Sequence, residues 1–102
     1  MKDPWSQLAT RVLKDLMYLK RVNYKQLSKC LEAVGIEESP KQLANKINRG
    51  QFSAPFFFQC LRALEVKGME LNWGVMQEED EGRPAMAVER VVEAKTGESS
   101  PS

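Results

Sequence analysis

Histidine is absent from this chain of 102 residues, and that absence removes the commonest general base and the commonest metal ligand at once. No HExxH, no GxSxG and no phosphate-cradling glycine loop occurs in it. Cysteine is scarce as well. Cys30 and Cys60 stand thirty positions apart with no histidine to complete a tetrahedral set, which argues against a zinc site. Each falls between leucines in a helical pattern and is expected as a buried, reduced thiol, with a disulfide or a reactive thiol as the alternative. Glu37 with Glu38, and the acidic run from Glu78 to Glu81, are carboxylates adjacent in sequence. Neighbouring side chains diverge, so both clusters read as solvated faces rather than an acid–base pair. The sequence therefore predicts no enzyme, no cofactor, no metal and no small-molecule substrate. It also lacks an apolar run long enough for a bilayer, and MKDPWSQ puts an acid, a proline and polar residues where a signal peptide carries its hydrophobic stretch. A cytoplasmic protein with no membrane contact is the expectation.

Charge is present in both signs but unevenly placed. The formal net charge is +1. From Met1 to Val75, however, twelve Lys and Arg face seven Asp and Glu, a balance of +5, while Met76 to Ser102 has three against seven, a balance of −4. A basic body is drawn to polyanions and an acidic tail opposes that attraction. The length suits one small domain that buries roughly two thirds of its unfolded surface. The expected division is a folded domain over residues 1–75 and an acidic, mostly disordered tail over 76–102.

Hydrophobic spacing of 3.6 residues runs through Trp5, Leu8, Val12, Leu13, Leu16 and Met17 and predicts a first helix from Pro4 to Lys20. Tyr24, Leu27, Cys30, Leu31 and Val34 predict a second, ended by Gly35. Ser39 before Pro40 is a helix start, since the hydroxyl caps free amides and the ring presets φ, so a third helix is expected from Pro40 to Arg49. Ser53 and Pro55 repeat the signal for a fourth, through Phe56, Phe57, Cys60, Leu61 and Leu64 to near Val66. Met69, Leu71, Trp73 and Val75 alternate with polar or small residues, as a strand does, but one strand is not stable alone. The segment 69–75 is thus a strand paired across a dimer, or else a fifth short helix or a turn. Pro84 to Lys95 is expected as a weak helix through Val88, Val91 and Val92, and QEEDEGRP and GESSPS as mobile. The fold class predicted is all-α, a bundle of four to five helices with a flexible acidic C-terminal tail.

The third helix carries the most specific signal. With Leu43, Ala44 and Ile47 inward, Gln42, Asn45, Lys46 and Arg49 fall at i, i+3, i+4 and i+7 on the opposite side. Amide side chains pair two-point with adenine and guanidinium groups with guanine, so these four are the candidate base-contacting residues. Lys25, Ser39, Lys41, Gln51 and Ser53 lie at helix starts or turns and are the candidate phosphate contacts. Three consecutive phenylalanines cannot share one direction on a helix, so Phe56 or Phe58, with Trp73, is expected to remain uncovered and to contact a second copy or another protein.

The order of these elements resembles the lambda-repressor-like helix-turn-helix domain. The similarity rests on Leu27, Ser28 and Leu31, then Ala44, Ile47, Arg49 and Gly50, then Ser53 and the Leu61–Leu64 helix, and spans roughly Leu8 to Val66. The chain also resembles a family of short bacterial proteins labelled as of unknown function, through Tyr24 with Leu27, Gly35 with Ile36, the stretch Asn45 to Ser53, and Gln59 to Leu61. Two departures from the repressor pattern matter. Glu32, Ala33 and Val34 intervene before Gly35, lengthening the second helix by about a turn. Tyr24 stands where that family often has a phosphate-binding glutamine.

The resemblance implies a DNA-reading regulator of bacterial, phage or plasmid origin. The leading expectation is a transcriptional regulator that binds double-stranded DNA in the major groove as a homodimer. The alternative is a protein-interaction module built on Phe56, Phe58 and Trp73.

Overall fold

The computed structural model describes residues 3–73 and 86–93, as four helices followed by two strands: α1 (Pro4–Lys20), α2 (Tyr24–Ala33), α3 (Pro40–Arg49), α4 (Ala54–Ala63), β1 (Val66–Leu71) and β2 (Val88–Glu93). Local chemistry sets each helix boundary. The Asp3 carboxylate accepts the Ser6 N–H at 2.7 Å and Pro4 occupies the first turn of α1. Arg21, in the left-handed region at φ 57°, closes the same helix. Asn23 and Gln26 form a reciprocal capping box on α2, and Ser39 and Gln42 do the same on α3, each pair satisfying two otherwise orphaned amides. The Ser53 hydroxyl accepts the Phe56 N–H to start α4. Such caps contribute about 1 kcal/mol each.

Leu13, Leu16, Leu27, Leu31, Leu43, Ile47 and Cys60 are fully buried and form one core. Within it α3 packs against both α1 and α2, and α4 packs against α2. Burial of each such side chain is worth about 1.5–3 kcal/mol, so the interlocked leucines of α1, α2 and α3 dominate the stabilisation.

The all-α expectation is overturned. The chain is mixed: β1 and β2 pair antiparallel in a two-stranded sheet, with Met69 opposite Val91 and Glu70 opposite Arg90. The helix expected through Val88, Val91 and Val92 is instead β2. Three valines in six residues favour a pleated, half-buried surface, because β-branched side chains lose χ1 freedom in a helix. The fourth helix also stops short of Val66. Leu64 caps it and Glu65, at φ 59°, turns the chain into β1.

The partner that β1 requires therefore comes from the same chain. An Arg90–Glu70 ion pair of 3.4 Å ties the two strands on their exposed side. Underneath, Ala87 and Val88 join the core, and the Asp15 carboxylate of α1 accepts both their N–H groups at 2.6 and 3.2 Å. Lys20 pairs with Glu93 at 3.2 Å near the other end of β2. The described part of the expected tail is thus a strand seated on α1. The QEEDEGRP and GESSPS segments, expected to be mobile, lie outside the described residues.

Candidate nucleic-acid interface

The helix α3 is anchored on one side and open on the other. Leu43 and Ile47 are fully buried, whereas Lys41, Gln42, Asn45, Asn48 and Arg49 are all exposed. Both ends are held. At the start, the Ser28 hydroxyl of α2 donates to the Glu38 carbonyl at 2.7 Å, fixing the turn that leads into Ser39. At the finish, Gly50 adopts φ 67° and presses against the Ser6 backbone of α1, and the Thr10 hydroxyl donates to the Ile47 carbonyl at 2.6 Å. Gly35, at φ 87°, bends the turn after α2 with open space around it.

Of the four side chains expected to meet bases, Asn45 and Arg49 stand clear on the exposed face. Gln42 shares that face, but its side-chain carbonyl accepts the Ser39 N–H at 2.9 Å, which leaves its amide N–H groups for another partner. Lys46 departs from the set. Its ammonium lies 2.6 Å from a Glu38 carboxylate oxygen and 4.8 Å from the centroid of the Phe56 ring, on the flank of α3 that faces α4. Lys46 is therefore a brace between the turn, α3 and α4. The pair spans eight residues across a turn, a distance no helical spacing rule reveals.

The candidate phosphate contacts are spread around this helix. Lys41 sits in its first turn, Gln51 just past its end, and Lys25 in the first turn of α2, all exposed. The Ser39 and Ser53 hydroxyls accept the Gln42 and Phe56 N–H groups at 3.1 Å, so each keeps its own O–H to donate. Tyr24 is half-buried and burial raises its phenol above the ordinary value.

Among the expected contact aromatics, Phe56 is buried, at 4% exposure, against Phe52 and beneath Lys46. Phe58 and Trp73 remain open at 63% and 57%. Phe57 stacks on Phe52 with centroids 6.3 Å apart and meets Phe58 edge-on at 5.8 Å.

Charge is partitioned across the surface. An open cleft of about 440 Å³ at the α2–α3 turn is lined by Ser28, Glu32, Glu37, Glu38, Ser39 and Gln42. Its carboxylates repel phosphate, so a polyanion meets α3 from the Asn45–Arg49 side. Among the described residues no group of three or more His, Cys, Asp or Glu is placed to hold a metal ion, and no helix is long and apolar enough to cross a membrane. The Cys60 thiol, fully buried, is pushed up to about 12 by that burial, with Glu38 adding to the rise and Lys46 opposing it. It stays protonated and unreactive near neutral pH.

These features define a small mixed α/β domain that presents one polar, cation-bearing helix. A family model described as "Domain of unknown function (DUF6471)" matches residues 5–69, well over half of the chain, and the chain belongs to that family. The match covers all four helices and reaches into β1. No curated protein and no solved structure matches it.

Proposed function

We propose that this protein binds double-stranded DNA sequence-specifically, with α2, its turn and α3 acting as a helix-turn-helix and α3 entering the major groove. The observation that carries the reading is the exposed edge of α3, where Asn45 and Arg49 stand one turn apart with Gln42 and Lys41 beside them, above a fully buried Leu43 and Ile47. Asn45 and the amide of Gln42 suit adenine, and Arg49 suits guanine. Lys41 and Lys25 neutralise phosphate at the first turns of α3 and α2, where amide dipoles also favour anions. Anchoring of α3 at both ends supports the reading further, because base recognition needs a rigid helix. Lys46 is assigned to positioning α3 rather than to bases.

On this reading the protein is a cytoplasmic regulator of transcription that catalyses nothing and needs no cofactor. Fluorescence anisotropy with duplex DNA over a salt series tests it. The expected result is an affinity that falls steeply and linearly on logarithmic axes, with a shallower slope after Lys41→Ala. Absence of binding at low salt would overturn it.

A further inference from the structure

The outward stripe of α4 is made of Ala54, Phe58, Leu61 and Arg62, and Glu65 continues it just past the helix end. These residues follow spacings of three and four and therefore share one side. Leu61 is half-buried and the others are exposed, with Phe58, the large apolar side chain at the centre, open at 63%. Its ring is not loose, since Phe57 meets it edge-on and Phe57 is in turn stacked on Phe52. A fixed, exposed aromatic ring in the middle of a helix face marks a contact surface.

We propose that this stripe is the homodimer interface, in which α4 of one protomer packs antiparallel against α4 of its partner. The charges on the stripe match their own reverse. When two copies run antiparallel about an axis midway between positions 58 and 62, Phe58 of one protomer faces Arg62 of its partner, twice, and a guanidinium over an aromatic ring is attractive. The same registration brings Glu65 of each protomer to the amino end of its partner's α4, where the helix dipole stabilises a carboxylate. Ala54, near the end of the contact, leaves room for close approach. Arg62 and Glu65 cancel within the stripe, so association is not opposed by like charge. A two-fold axis closes the assembly at two copies.

A ten-residue helix is only about 15 Å long, so the buried area falls short of the roughly 800 Å² per partner of a standard interface. The dimer is accordingly weak and concentration-dependent. Its formation does not require DNA, so it stands or falls apart from the function proposed above.

Sedimentation equilibrium of the full chain without DNA, over a wide concentration series, is the test. The expected result is a reversible shift from one chain mass to twice that mass. Phe58→Lys, which places a charge in the seam, should hold the protein as a monomer throughout, and Phe58→Trp should retain the dimer. Arg62→Glu, at an exposed position outside the core, should weaken association at least tenfold, and it carries the test should circular dichroism show that Phe58→Lys does not fold. A wild-type chain that remains monomeric at every concentration, an open-ended series of larger species, or a dimer indifferent to both charged variants would overturn the proposal.

Discussion

The Lys46 ammonium lies 2.6 Å from the Glu38 carboxylate and over the Phe56 ring, so a cation on the flank of α3 is spent on holding that helix to α4 and to the turn before it. Glu38 is the more enclosed partner, with its side chain 15% exposed against 42% for Lys46. Removing the lysine charge leaves an enclosed carboxylate unpaired. Lys46→Met, which keeps the aliphatic stem, should therefore destabilise the fold by about 1–2 kcal/mol in urea unfolding, between the values typical of exposed and of buried pairs. The same substitution should alter DNA affinity less than Arg49→Ala does in an anisotropy titration. A larger loss of affinity from Lys46→Met than from Arg49→Ala would return Lys46 to the base-reading set.

The two glycines with positive φ should respond differently to alanine. At Gly35, φ 87° in open space, the added Cβ meets only the backbone penalty, about 1–2 kcal/mol. At Gly50 it would fall on the Ser6 carbonyl oxygen and 2.7 Å from the Thr10 hydroxyl oxygen, so that α1 and α3 must part. Roughly 3 kcal/mol or more is expected there. Urea midpoints of the two variants measure the difference, and equal costs would show that the α1–α3 contact is not tight.

Alkaline pH should weaken the fold through Cys60. Its thiol rises from an ordinary 9.0 to about 12 in the native state, so between those values the folded chain keeps a proton that the unfolded chain has lost. Stability from this group is whole below pH 9 and falls above it, by up to about 1.4 kcal/mol per pH unit, until the native thiol ionises. Tyr24, raised by burial, adds a loss of the same sign above its ordinary 10.0. Unfolding free energies measured in steps above pH 8 should show this decline in the wild type and a smaller one in Cys60→Ala. Parallel curves would remove Cys60 from the effect.

Asp15 holds the start of β2 by accepting two backbone N–H groups. Asp15→Ala should cost about 2–3 kcal/mol, since charge-assisted bonds are lost and two enclosed donors are left unpaired. Hydrogen exchange should quicken at Ala87 and Val88 more than at Leu43 and Ile47. Uniform quickening would mean that the sheet and the helices open as one unit.

The four helices were legible because their signals are local. Asp3 with Pro4, Ser39 with Pro40 and Ser53 with Pro55 mark starts, Gly35 and Gly50 mark exits, and the leucine spacing identifies the inward faces. The sheet was hidden because its two strands are far apart in the chain. Val88, Val91 and Val92 also fit a helical spacing, and the contact that decides for a strand, Asp15 with Ala87, joins residues 72 positions apart. Within the site, the exposure of Asn45 and Arg49 followed from the inward positions of Leu43 and Ile47. The diversion of Lys46 did not, because it depends on how the turn delivers Glu38 and how α4 places Phe56 beneath it.

Selection of bound duplexes from a random DNA pool tests the central claim most directly, because it reads sequence preference instead of mere affinity for phosphate. The wild-type protein should enrich a defined motif, and Asn45→Ala or Arg49→Ala should each relax preference at particular positions of it, at roughly 1–3 kcal/mol per lost base contact. A pool that stays random after selection with the folded wild-type chain, or a motif unchanged in both variants, would contradict the claim that the exposed edge of α3 reads DNA.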